Sequence, residues 1–372
     1  MRRRLRHALI LLAVLSCCGC LLQAAQNAPA TEPWTFVVSG DARNCGDIVM
    51  PAIAETARKG RAAFYWHLGD LRRSSSQDED IQSQPEHRAA PLSLADYQRI
   101  EWQDFIDSQI QPFGSMPYMI GIGNHEVIPP KTREEYVAKF TPWLDTPTLR
   151  AQRLKDSPDD DRVKSYYHWI DRGIGFYFLD NASNDEFDDV QLAWFERTLA
   201  RDTTDPSITT IVAGTHKPLP DGYNTGHSMN ESSIGTQTGR RVYADLLNAR
   251  NDGRKRVYVL ASHQHFYMED AYDTPYWRNN GGVLPGWVVG TAGAVRYALP
   301  TPSPKVAMTN VYGSLLATVR PSGEIRFEFK KINEGDIPST VTKRYGKAFV
   351  HWCFANNTNV GSVARRIYSG FR

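Results

Sequence analysis

The chain is poor in cysteine, with 5 in 372 residues, and three of them, Cys17, Cys18 and Cys20, crowd near the N-terminus. A dense disulfide framework is thereby excluded. No internal repeat is visible, so a solenoid is excluded as well. Neither sign of charge dominates: the formal net charge is +2, which carries neither a nucleic-acid signature nor a membrane-surface one. The apolar stretch from Ala8 to Leu22 is too short to span a bilayer comfortably. What remains is a chain of ordinary globular composition, 41% hydrophobic, long enough for one large domain or two.

The N-terminus reads as an export signal. Met1-Arg2-Arg3-Arg4-Leu5-Arg6 is a positive n-region ahead of the apolar stretch, which places residues 1–25 in a leader. Two endings compete. Val14-Leu15-Ser16-Cys17 is a tolerable lipobox in which Cys17 would be acylated and anchor the protein, and Gln23-Ala24-Ala25 is a plain cleavage point. The expectation is a periplasmic or secreted protein, with a membrane-anchored lipoprotein as the variant. Four of the 43 Lys and Arg lie in the leader and no Asp or Glu does, so the mature chain has a net charge of −2. Cys45 and Cys353 are then the remaining cysteines. They are either bridged, in an oxidising compartment, or two free thiols, and Cys45 is also close enough to Asp41 to be weighed as a ligand.

Strand and helix patterns alternate first and strands crowd later. Phe36 to Val38, a helix from about Ile48 to Lys59, and Phe64 to Leu68 form a βαβ opening, with a helix from about Leu94 to Ile110 leading to a buried strand at Tyr118 to Ile122. A hairpin over Ser165 to Leu179, helices near Val190 to Leu199 and Val242 to Ala249, and strands at Ile208 to Ala213 and Val257 to Ala261 follow. Trp287 to Val289, Val311 to Val319 and Glu324 to Phe329 close the chain on strands. The fold class expected is α/β, two packed mixed β-sheets flanked by helices, in one domain over residues 32–332 with a C-terminal extension over 333–372. Three polar stretches, Ser74 to Pro91, Asp145 to Lys164 and Pro220 to Gly239, read as long loops.

Chemistry collects at the ends of the apolar runs. Gly40-Asp41 and Gly69-Asp70 each follow one, Gly123-Asn124-His125-Glu126 follows a third, and His216 and His263-Gln264-His265 come later. Strand ends are where open α/β sheets keep their sites. Asp41, Asp70, Asn124, His216, His263 and His265 offer carboxylates, an amide oxygen and imidazoles, a set that suits Fe, Mn or Zn better than calcium. Two such ions sharing a carboxylate activate water and stabilise an in-line displacement at phosphorus. His125, beside Asn124, is placed to protonate a leaving oxygen or to stabilise charge on the transferring group.

In this order the motifs resemble the calcineurin-like metallophosphoesterase superfamily, whose pattern runs GD, GD, GNH(E/D), a later His, and GHxH. The resemblance covers about three-fifths of the chain. It implies a four-layer α-β-β-α sandwich that hydrolyses phosphate esters of small molecules, lipids or proteins. Asp41 and His265 would hold a first metal, Asp70 would bridge, Asn124, His216 and His263 would hold a second, and His125 would be the catalytic histidine. The segment Val288 to Gly293 is similar to the glycine-rich strand end that follows the last histidines in such enzymes.

The departures are specific. Many members read GDxH at the first motif, and purple acid phosphatases read GDxxY at the second; here those positions are Arg43 and Arg73, so the first metal is expected to be weakly held, completed by water or a loop residue, or absent. Only a short segment precedes Trp34, with no room for the extra N-terminal sandwich some purple acid phosphatases carry. Ser262 stands for the glycine of GHxH. Arg43 is expected either to contact substrate phosphate or to pair with a nearby carboxylate, and His227 is a substrate-loop candidate. His67 and His168, inside strand patterns among aromatics, read as packed side chains, and Glu126 as a group that orients a ligating imidazole. The rival to a hydrolase is a catalytically silent relative that binds a ligand or partner in the cell envelope.

Overall fold

The computed structural model describes residues 30–183 and 186–358. The leader, including Cys17 and its possible acylation, lies outside the described residues. Chain order gives β1 (Trp34–Ser39), β2 (Tyr65–His67), β3 (Tyr118–Ile120), β4 (Tyr167–Asp171), β5 (Ile174–Leu179) and β6 (Thr210–Thr215). It continues with β7 (Arg256–Ala261), β8 (Tyr267–Glu269), β9 (Gly286–Val289), β10 (Ala307–Met308), β11 (Tyr312–Val319) and β12 (Ile325–Ile332). One sheet has the order β12-β11-β1-β2-β3 and the other β10-β8-β9-β7-β6-β5-β4. Both are mixed, as expected. β1, β2 and β3 run parallel with β11 antiparallel on one side, and β5, β6, β7 and β9 run parallel between antiparallel edges.

Side-chain alternation explains how the seven-stranded sheet is covered on both faces, since successive residues of a strand point to opposite sides. Phe176 and Phe178 of β5, Val212 of β6 and Leu260 of β7 face the other sheet. Their neighbours Tyr177, Leu179, Ile211, Ala213, Val257 and Val259 face helices instead. Aromatic rings lock the two sheets together: Phe36 meets Phe176 edge-on at 5.3 Å, and Trp66 meets Trp169 at 5.2 Å. Gly214 is required beside this contact, because a Cβ there would come within 2.5 Å of the Trp66 ring.

Helix α1 (Gly46–Lys59) lies against β11 and β12. α2 (Asp189–Thr204) and α3 (Ser233–Asn251) cover the outer face of the second sheet with Leu192, Phe195, Val242, Tyr243 and Leu246. Caps fix both starts: Asp188 accepts from Gln191 N at 2.8 Å, and Ser232 from Gly235 N at 2.9 Å, which starts α3 well before its apolar stripe.

The three polar stretches are not plain loops. Ser74 to Pro91 holds the short helices Glu79–Gln82 and Pro85–Ala89, Asp145 to Lys164 holds Pro147–Asp156, and the last third of Pro220 to Gly239 is the start of α3. Proline at the first helical position and polar faces hide these helices from a search for apolar periodicity. The helix expected over Leu94 to Ile110 is α-helical to Phe105 and finishes as a π turn, Ile106–Ile110.

After β12, α4 (Ser339–Tyr345) and α5 (Lys347–Ala355) fold back on the domain, and Tyr345, Phe349, Val350 and Cys353 join the core. Cys45 and Cys353 form a disulfide with Cα atoms 6.0 Å apart. That removes Cys45 from the candidate ligands.

Candidate metal centre

The carboxyl ends of β1, β2 and β3 meet those of β6, β7 and β9, and every donor picked from the sequence sits on a loop leaving one of the first five. The glycine-rich end of β9 joins the two halves: Gly40 N donates to Val289 O, Ala292 N to Gly40 O and Ala294 N to Asp41 O, at 2.9 to 3.1 Å. Gly290 is needed there, since a Cβ would stand 2.6 Å from Asp41 Oδ2. Asp41, Asp70 and His263 all adopt positive φ, 61°, 59° and 65°. Left-handed backbone at three such residues costs about 1 kcal/mol or more each, and it turns their side chains into one cleft.

Four donor atoms converge on one side of Asp70. His216 Nε2 lies 3.0 Å from Asn124 Oδ1, 3.1 Å from His263 Nδ1 and 3.2 Å from Asp70 Oδ1. The other nitrogen of that ring faces Leu68 O at 3.0 Å and Ser262 Oγ at 3.1 Å, so Nδ1 carries the proton and donates to the carbonyl. Nε2 then presents a lone pair to two oxygen acceptors, an arrangement that calls for a positive charge between them. Burial works against charging His216, and Asp70 outweighs it, so the ring's pKa is raised. A metal ion would satisfy the same demand without the proton, and the set of one carboxylate, one amide oxygen and two imidazoles fits Fe, Mn or Zn.

On the other side of Asp70, Asp41 and His265 complete a second cluster: His265 Nε2 lies 3.1 Å from Asp41 Oδ1, and its Nδ1 donates to Val295 O at 2.7 Å. Here the arrangement does not fit an ion so simply. The guanidinium of Arg43, 7% exposed, stands among these donors, with Nη2 2.7 Å from His265 Nε2 and 3.3 Å from Asp70 Oδ2. Its Nη1 bonds to His125 Nε2. Burial opposes ionisation of Asp70, but His216, Arg43 and His125 together hold its carboxyl well below the usual range.

His125 lies at the open edge, its backbone N donating to Asp70 Oδ1 at 3.0 Å. Burial and then the Arg43 charge push its pKa down to about 3. Since Arg43 donates to Nε2, the ring proton is on Nδ1, which has no protein partner. Asp41, Asp70, His216 and His265 are buried, whereas Asn124, His125 and His263 are partly exposed, so the cleft opens on the Asn124 side.

Glu126 plays a different part from the one expected. Its carboxylate accepts from the backbone N of Gly123, Asp70 and Leu71 at 2.7, 2.9 and 2.9 Å, and so holds two motif loops in register rather than an imidazole. Burial, and then the Asp70 charge, push its pKa up to about 8. Ser262 needs no unusual backbone and uses its hydroxyl to donate to Leu68 O at 2.9 Å. Arg73 points away toward Glu79 at 3.7 Å. His227 is exposed at the rim, stacked on Tyr297 at 5.4 Å and 5.7 Å from the His263 ring. His227, Glu231 and His263 form a third cluster of possible donors.

Two neighbours were missed from sequence. Tyr297 stacks on His265 at 4.0 Å, and Glu231 faces His227 and Lys217; neither sits in a motif, and only the fold brings them in. His67 and His168 are packed, as expected, His168 lying between Asp156 and Asp202 at 2.9 and 2.8 Å.

No protein-family model matches this chain, and no curated protein matches it either. Among solved structures, a purple acid phosphatase from yellow lupin seeds aligns with 82% of the chain at 18% identity and a TM-score of 0.55. The aligned part is 52% of that protein, so the chain spans about half the length of this relative. PhoD aligns with 87% of the chain and 78% of its own length, at 16% identity and a TM-score of 0.51. The chain thus has the calcineurin-like metallophosphoesterase fold.

Proposed function

We propose that this protein hydrolyses phosphate esters in a metal-dependent reaction. The observation that carries the reading is the convergence of Asp70 Oδ1, Asn124 Oδ1, His216 Nε2 and His263 Nδ1 within a cleft that is open beside His125. Asp70, Asn124, His216 and His263 would hold a divalent or trivalent ion, and Asp41, Asp70 and His265 line the neighbouring position, where the Arg43 guanidinium stands. A cation bound in the cleft supplies Lewis acidity toward a phosphoryl oxygen and lowers the pKa of water.

The chain's own residues do the rest. Backbone strain at Asp41, Asp70 and His263 and the three amides gathered by Glu126 fix the donors before substrate arrives. His125 carries an Nδ1–H that no protein group accepts, a donor available to hydrogen bond an oxygen that gains charge as the ester bond breaks. Arg43 places a permanent positive charge next to that ring. Phosphorylated small molecules, lipids or proteins are the substrate class. Export is part of the proposal: the leader pattern and a buried disulfide both suit an oxidising compartment, with acylation at Cys17 the route to a membrane anchor.

Steady-state assays with p-nitrophenyl phosphate and bis-p-nitrophenyl phosphate on metal-reconstituted protein test the reading. Turnover that falls by about 100-fold or more in His125→Ala, at unchanged metal content, supports it. A wild type inert on both esters with metal bound favours the silent binding protein instead.

A further inference from the structure

Three acceptor atoms meet at the inner position of the cleft: Asp41 Oδ1, Asp70 Oδ2 and His265 Nε2, each on a buried residue. The His265 atom is an acceptor because Nδ1–H is committed to Val295 O. Buried acceptors facing one another without a donor or a cation are costly. What meets them is Arg43 Nη2, 2.7 Å from His265 Nε2, 3.3 Å from Asp70 Oδ2 and 3.9 Å from Asp41 Oδ1. A guanidinium is always charged, carries only donors and offers no lone pair to a metal.

We propose that Arg43 is the resident cation of the inner position, and that this chain accordingly takes a single metal ion, at Asp70, Asn124, His216 and His263. The inference rests on the metal-dependent reading above. Asp70 would then serve a metal ion on its His216 side, while its Oδ2 meets the guanidinium. The competition is steric as well as electrostatic, because Nη2 stands at hydrogen-bond distance from His265 Nε2, one of the atoms an inner ion would have to bind. Arg73 cannot compensate from the second motif, since it is directed to Glu79 on the outside. The phosphate contact expected of Arg43 is compatible with this role, for a fixed charge here faces any phosphoryl group held by the neighbouring ion.

The test is metal stoichiometry rather than activity. The purified mature chain is reconstituted with excess Mn(II), freed of unbound ion by gel filtration and analysed for its metal content. Wild type is expected to hold one equivalent. Arg43→Ala, which frees the three acceptors, and Arg43→His, which adds a lone pair, are expected to hold two, a doubling in variants shown by circular dichroism to be folded. Electron paramagnetic resonance of Mn(II)-loaded wild type, which needs no variant, should give the signal of an isolated ion. Two equivalents in wild type, or the signal of an exchange-coupled pair, overturn the inference while leaving metal-dependent hydrolysis standing. A folded Arg43→His that stops at one equivalent also overturns it. A wild type that holds no metal at all fails the metal-dependent reading itself, and this inference with it.

Discussion

Removing the Cys45–Cys353 bridge should cost this protein several degrees of melting temperature, and the reason is chain topology. The bridge closes a loop between residues 308 apart in sequence. Cross-linking a loop of that length removes about 19 cal/mol/K from the unfolded chain, or about 6 kcal/mol at 25 °C, on the loop-closure account. Unfolded chains keep residual structure, so this is a ceiling. A domain of this size loses about 0.7 kcal/mol of stability per degree near its midpoint, which turns the ceiling into a fall of about 8 °C. Cys45 and Cys353 are both fully buried, so Cys45→Ala with Cys353→Ala avoids leaving a buried unpaired hydroxyl. The assay is a pair of calorimetric scans, wild type against the double variant, with thiols counted in wild type denatured without reductant. A fall of 4–8 °C and, in protein that begins after Ala25 and so lacks Cys17, Cys18 and Cys20, no free thiol are expected. Two free thiols, or melting temperatures within about 1 °C of each other, would refute the reasoning.

Three further perturbations address the core and the site's support. His168 sits between Asp156 and Asp202; burial lowers its pKa but the two carboxylates outweigh that and raise it to about 9. A raised folded pKa stabilises fully below the unfolded value near 6.5 and is lost as pH rises through about 9, so this group contributes on the order of 3 kcal/mol at pH 6 that is gone by pH 10. Urea titrations of wild type and His168→Asn should therefore converge as pH rises over that window, and parallel profiles would contradict the ion pair. Gly214→Ala drives a methyl into the Trp66 ring and should destabilise by about 1–3 kcal/mol in the same assay; a neutral effect would mean the two sheets can part there. Glu126→Gln replaces an acceptor of three backbone N–H bonds by a group with one acceptor oxygen, and should weaken metal binding by about 10-fold or more in competition with a chelator. Unchanged affinity would show that loop register does not depend on it.

Much of this fold could be read from the chain because its strands are apolar enough to announce themselves, and the donors follow directly at their ends. Asp41, Asp70, Asn124, His216, His263 and His265 all come together for that reason. What could not be read depends on side-chain direction or on polar segments. Arg43 has a position in the first motif, but whether its guanidinium turns to solvent, to substrate or into the donors is decided by His265 and His125, more than 80 residues away along the chain. The polar stretch from Ser74 to Pro91 reads as a long loop, yet its Asp80, together with Asp47, grips the fully buried Arg72, at 3.0 and 2.6 Å. Tyr297 enters the site only because the chain after β9 doubles back over His265.

The same few residues explain why the C-terminal helices matter to the site. Asp41 and Arg43 are carried by a segment that has almost no regular structure until α1 begins at Gly46. Its neighbours hold it from three directions. Asn44 N donates to Asp78 Oδ1 at 3.0 Å, and its side-chain oxygen accepts from Val295 N at 3.1 Å. Cys45 is bonded to α5 through the disulfide, and Asp47 accepts from Tyr345 Oη of α4 at 2.7 Å as well as from Arg72. A motif loop in left-handed conformation at Asp41 would relax if it were free, because an unconstrained aspartate prefers negative φ. The insert after β2, the chain after β9 and the C-terminal helices together deny it that freedom. Shortening the chain before α4 should therefore loosen the Asp41–Arg43 loop while leaving the Asn124, His216 and His263 donors in place. Site geometry on the β6 and β7 side depends on the sheet, and on the β1 side it depends on what is packed against the loop.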